Sequence, residues 1–158
     1  MIAQSHHWKR LILRQEELLN RLAKPHRWTE VSSLKLEQTT VLGFYAIRRL
    51  INFFLLADAL VHRPVPLTVF PARHKSGLLL GDQPLEDLYD LTAGRAASHD
   101  LLFTCHQVAY NCIFAPYFGQ DGALQGIHVT SDHQRKSALY GISIESVKDL
   151  FCLAGSQR

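Results

Sequence analysis

Apolar residues recur at helical spacing through the first third of the chain. Trp8, Leu11, Ile12, Leu18, Leu19 and Leu22 fall three, four and seven residues apart, so they form one stripe and predict a helix over about residues 5–23. Lys9, Arg10, Arg14, Glu17 and Arg21 lie mostly off it. Pro25 disfavours helix at the residue before it and closes the segment. A second helix is expected from Ser32 or Ser33, either of which can cap it. It carries Val41, Leu42, Phe44, Tyr45, Ile47, Leu50, Ile51, Phe53, Phe54, Leu55, Leu56 and Leu60 on nearly every side. That pattern predicts one long helix over 33–63, buried on most of its circumference, until Pro64 and Pro66 stop it. Arg48, Arg49 and Asp58 interrupt the run, so no window offers the roughly 18 uncharged residues a membrane span needs.

The signal then weakens. Leu67 to Phe70, between Pro66 and Pro71, reads as a short edge strand, residues 72–81 as a loop, and 84–91 as a short helix ended by Gly94. A helix is expected after Ser98 as far as about Asn111. Leu101, Cys105, Val108 and Cys112 lie on its apolar side, and His99, Phe103, His106 and Tyr110 on the other. From Cys112 the period changes to two. Residues 112–118 form an edge strand containing Pro116, Gly119-Gln120-Asp121-Gly122 a hairpin turn, and 124–130 a strand with Ile127 and Val129 opposite His128 and Thr130. A third strand covers 138–144, giving an antiparallel meander with the middle strand inside. The last helix is capped by Ser143, presents Val147, Leu150, Phe151 and Ala154 to the sheet, and stops at Gly155. The expected fold is α+β in a single domain over 1–158. It comprises an N-terminal helical pair or bundle (about 5–111) with a long buried second helix, then a three-stranded antiparallel meander and a C-terminal helix (112–155).

Composition narrows the setting. Three cysteines, Cys105, Cys112 and Cys152, are too few for a disulfide scaffold and form no C-x-x-C pair, which favours a reducing, cytoplasmic compartment. Residues 1–10 contain no apolar run of the secretory kind. Charge is uneven: residues 1–50 hold nine Lys/Arg against four Asp/Glu, the remainder eight against ten. The basic front suits a nucleic acid or an acidic protein surface. Lys9, Arg10, Arg14, Arg21, Lys24 and Arg27 are candidate phosphate contacts, and Trp8 or Trp28 a stacking surface.

Nine histidines make acid–base chemistry worth testing. The candidates are His106 and Tyr110 on one helix, and His128, Asp132 and His133 around the second and third strands, with Asp132 placed to orient an imidazole. His99 and His106 are too far apart to share an ion, and the expectation is no metal and no cofactor. His128-Val129-Thr130 resembles the H-x-T element of the two-histidine phosphoesterases, whose chemistry needs two such elements; the chain has no second H-x-T. The Arg and His of HEPN ribonucleases, four to six residues apart on a late helix, find no match. Pro25 separates Arg21 from His26, and Arg95 and His99 are only three apart. Phosphate loops and the G-x-S-x-G elbow are missing. The leading expectation is a non-catalytic binding or assembly protein that self-associates through helical surface. Nucleic-acid binding through the basic first helix comes second, and a histidine-dependent hydrolase or ribonuclease third.

Overall fold

A computed structural model describes residues 2–73 and 83–157. Helix α1 (Ile2–Ala23) is followed across a short loop by α2 (Glu30–Asn52). The start of α2 is fixed by Thr29. Its hydroxyl accepts from the Ser32 N–H, and Ser32 Oγ accepts from the Thr29 N–H, a reciprocal cap. Ser32 is therefore the capping partner inside the helix, not the cap, and Ser33 Oγ instead accepts from the Trp28 indole.

The expected thirty-residue helix is shorter. It ends at Asn52, because Phe54 takes a left-handed conformation with φ 55°. The Phe54 N–H donates to Ile51 O at 3.0 Å and the Leu55 N–H to Leu50 O at 2.8 Å, the double closure normally built on glycine. The turn leads into α3 (Asp58–Val61). A non-glycine residue in this region costs about 1–2 kcal/mol. Phe54 is 95 % exposed and loses little packing when truncated. Phe54→Gly should therefore raise unfolding stability by roughly 1 kcal/mol, allowing for glycine's greater freedom in the unfolded chain. Urea denaturation reads this out, and a loss of stability would show that the ring is held by a contact.

The sheet has five antiparallel strands, not three. They are β1 (Val65–Pro71), β2 (Arg95–His99), β3 (Asn111–Phe118), β4 (Leu124–Ser131) and β5 (Ala138–Ser143), in the order β2-β1-β5-β4-β3. The meander β3-β4-β5 is as expected, with β4 inside and β3 at an edge. The expected edge strand around Leu67 is instead interior, because β1 pairs β2 on one side and β5 on the other. Its prolines are tolerated by stagger. Pro66 lies where only β2 is alongside, and Pro71 where only β5 is. This pairing also covers the β5 edge that would otherwise be open to another chain. Between β1 and β2 lies the short helix α4 (Leu85–Leu88); the expected loop over 72–81 falls mostly outside the described residues.

Helix α5 (Leu101–Ala109) starts later than expected, because Asp100, not Ser98, caps it by accepting from the Phe103 N–H at 2.7 Å. Helix α6 (Ile144–Ser156) begins at Ser143 as expected. Gly155 does not stop it. A Cβ there would lie 2.6 Å from the Leu13 side chain, so this glycine allows α6 to cross α1 closely. Helices α2, α5 and α6 pack on one side of the sheet, in one core with Ile127, Val129, Tyr140 and Ile142, and α1 packs against α2 and α6. The other face carries a small second cluster of Leu88, Tyr89 and Leu139, with Phe70 and Ile113 beside it.

Candidate functional site

Two surfaces gather several of the candidate residues. The first is the outside of the α1–α2 hairpin. Along α1, Trp8, Leu11, Gln15, Leu18 and Leu22 recur at three and four residues. Along α2, Val31, Leu34, Gln38, Leu42 and Tyr45 do the same. The two stripes lie side by side and bound a groove of about 740 Å³ whose lining includes Leu18, Leu22, Val31 and Leu42. Leu36, Phe44 and Ile47 take the inward side of α2, leaving Val31 57 % and Leu34 53 % exposed. Helix α2 is thus buried on one face and not around most of its circumference. Further along the hairpin, Trp8 packs edge-on to Tyr45, and the Arg49 guanidinium lies against Trp8 and Phe53. Arg10 and Arg14 flank the α1 stripe on its outer side, Glu30 and Glu37 flank the α2 stripe, and Arg21 and Lys35 stand on the walls of the groove itself.

The second surface is a cleft of about 500 Å³ between α2, α5 and the turn after β4. Arg48, Asp100, Leu102, His106, Gln107 and His133 stand around it. The structure thus brings two of the candidate histidines together. Tyr110 belongs to the same group: its ring lies 5.1 Å from that of His106, and its hydroxyl accepts from Arg48 Nη1. Asp132 does not orient either imidazole; it is 81 % exposed and pairs with Arg135 at 3.1 Å. Sequence reasoning missed Arg48. Arg48 sits within an apolar run, and Gln107 gains meaning only when β4 places the Ser131 N–H against it.

His128 is elsewhere. It lies on the sheet face away from the helices, in a row of paired residues Thr68, Gly141, His128 and Ala115. Tyr117 stacks on it with ring centres 4.5 Å apart, and Phe70 approaches edge-on at 5.3 Å. Gly126 and Gly141 leave the space these rings occupy. Burial lowers the His128 pKa to about 4, so the ring is neutral at pH 7. Thr130, the other half of the H-x-T element, is buried and donates to Ala138 O at 2.8 Å.

The basic candidates are spread along α1 and its following loop. Arg10, Arg14, Arg21, Lys24 and Arg27 are exposed, whereas Lys9 is half-buried. Trp28 is half-buried, with its indole N–H on Ser33 Oγ, its ring edge-on to Phe118 at 5.1 Å and tilted against His26 at 5.2 Å. Among the described residues, no three His, Cys, Asp or Glu are placed to hold a metal ion. Cys105 is buried, and desolvation pushes its thiol far above the ordinary range. No described helix is long and apolar enough to cross a membrane. Comparison with protein-family models, with curated proteins and with solved structures gives no match.

Proposed function

We propose that this protein is a non-catalytic assembly module that pairs with a second copy of itself through the α1–α2 hairpin. One observation carries the reading: the α2 stripe from Val31 to Tyr45, at three- and four-residue spacing, remains exposed after the core is filled, beside an α1 stripe that is exposed at Leu18 and partly or fully buried elsewhere. That spacing is the seam of a helical bundle, and a single hairpin supplies only half of one. Two hairpins packed face to face complete four helices and cover Val31, Leu34 and Leu42. Charge favours this partner. A two-fold axis along the helices, setting α1 of one copy antiparallel to α2 of the other, brings Arg14 and Arg21 toward Glu30 and Glu37.

Light scattering after size exclusion should give twice the chain mass at micromolar concentration. Leu34→Lys combined with Leu42→Lys should return a monomer with an unchanged circular dichroism spectrum, because both side chains are already part-exposed. A wild-type monomer at about 100 μM, where even a weak Kd would show, overturns the reading.

A further inference from the structure

We infer that the cleft between α2 and α5 binds a phosphorylated small molecule of nucleotide size. This cleft is separate from the proposed seam, which lies between α1 and α2.

The cleft is built from donors. Arg48 is its cation, and it is held in place: the guanidinium lies 4.7 Å over the Tyr110 ring and donates to the Tyr110 hydroxyl. One Arg48 nitrogen is engaged in this way, and the remaining N–H groups suit phosphate oxygens. Gln107 is 2 % exposed yet lines the cleft. Its Oε1 accepts the Ser131 N–H at 2.9 Å, which fixes the amide orientation and leaves the NH2 end as the unused one. Behind it, Ser131 Oγ is buried with no hydrogen-bond partner among the described residues. Such a group costs about 1–3 kcal/mol unless something satisfies it. His106 and His133 add ring N–H groups from opposite walls, one on α5 and one on the turn after β4. The single carboxylate, Asp100, is occupied as the α5 cap. Asp100 keeps its charge, turned to the N-terminus of α5, and the fixed guanidinium with the donors around it suits a ligand group with several acceptor oxygens.

Size and wall chemistry extend the choice beyond free phosphate. About 500 Å³ lies within the range of small-molecule sites. Leu102 is exposed at the mouth, and Phe103 forms a rigid wall, stacked on His99 at 3.9 Å and edge-on to Tyr140 at 5.3 Å. Those surfaces suit a flat apolar group attached to the phosphate.

The test is a titration of the full chain, followed by the imidazole carbon–proton NMR signals, with adenosine monophosphate, inorganic phosphate and adenosine as separate probes. Adenosine monophosphate should shift the His106 and His133 signals saturably and leave His128 in place. Inorganic phosphate should do so at least tenfold more weakly, and adenosine not at all below millimolar concentration. Arg48→Gln should weaken the nucleotide at least tenfold, and Gln107→Glu, which replaces a donor with a charge of the wrong sign, should abolish the shifts. The inference is overturned by phosphate binding as tightly as the nucleotide, by shifts spread equally over His6, His7, His26 and His62, or by wild-type affinity in Arg48→Gln.

Discussion

Gly43→Val should be the most destabilising single substitution in the helical layer, with a loss of about 3 kcal/mol or more. Gly43 sits in the middle of α2, where glycine normally costs about 1 kcal/mol relative to alanine. The reason for that cost is Phe151 of α6. Its ring occupies the position a side chain at residue 43 would take, and a Cβ there would overlap the Cζ tip of the ring. Phe151 has no room to yield. It is fully buried and packs edge-on against Phe44 at 5.2 Å. Overpacking of this kind costs typically 1–3 kcal/mol for added methylenes, and a β-branched side chain at a ring contact lies at the upper end. The second-site test is specific. Phe151→Leu alone should cost about 2 kcal/mol through the space it opens. Combined with Gly43→Ala it should lose less than the two single changes together, because the methyl fills part of that space. Urea unfolding of the four proteins reads the coupling, and strict additivity would show that the two residues do not share a site.

The second large effect is a pH dependence that His128 imposes on stability. Its pKa in the folded protein is about 4, against about 6.5 for an unperturbed histidine, because burial disfavours the charged ring. Below pH 6.5 the unfolded chain binds a proton that the folded chain refuses. Stability is therefore fully present above pH 6.5 and falls as the pH drops toward 4. At pH 4.5 the loss should be about 2 kcal/mol, allowing for the part of the ring that still meets solvent. His128→Phe keeps a flat ring between Tyr117 and Phe70 and cannot take up the proton. Chemical denaturation at pH 7 should place it within about 1 kcal/mol of the wild type. At pH 4.5 it should be the more stable of the two by about 2 kcal/mol. Parallel pH profiles for the two proteins would show that the ring is solvated in the folded state.

These two positions show what was legible in the chain and what was not. The alternation at Ile127 and Val129 against His128 and Thr130 was readable, because the period of a strand with one face on the core is written in its residue types. The capping serine of α6 was equally plain. The end of α2 was hidden, since nothing in Phe53-Phe54 announces a left-handed turn that glycine usually supplies. Strand β1 was misplaced because its prolines signal an edge, and only the staggered pairing with β2 and β5 shows how an interior strand accommodates them. Strand β2, Arg-Ala-Ala-Ser-His, has no β-branched residue and gave no signal of its own.

The candidate sites divide in the same way. Residue types pointed to histidines, but not to which of them meet. His106 and His133 are far apart in sequence and share a cleft, whereas His128, nearer to His133 in sequence, faces the opposite side of the sheet. Arg48 was read as an interruption in an apolar run and is the fixed cation of the cleft. The surplus of apolar residues on α2 was legible as a demand for cover. The structure divides it between a core face and the outward stripe from Val31 to Tyr45.

That stripe is where the account stands or falls. Mixing isotope-labelled and unlabelled chains and recording only the nuclear Overhauser contacts that pass between them tests it directly. Contacts from the Leu34 and Leu42 methyls to Leu18, Leu22 or Val31 of the second copy are the predicted result. Intermolecular contacts confined to other faces, or none at millimolar concentration, would contradict it.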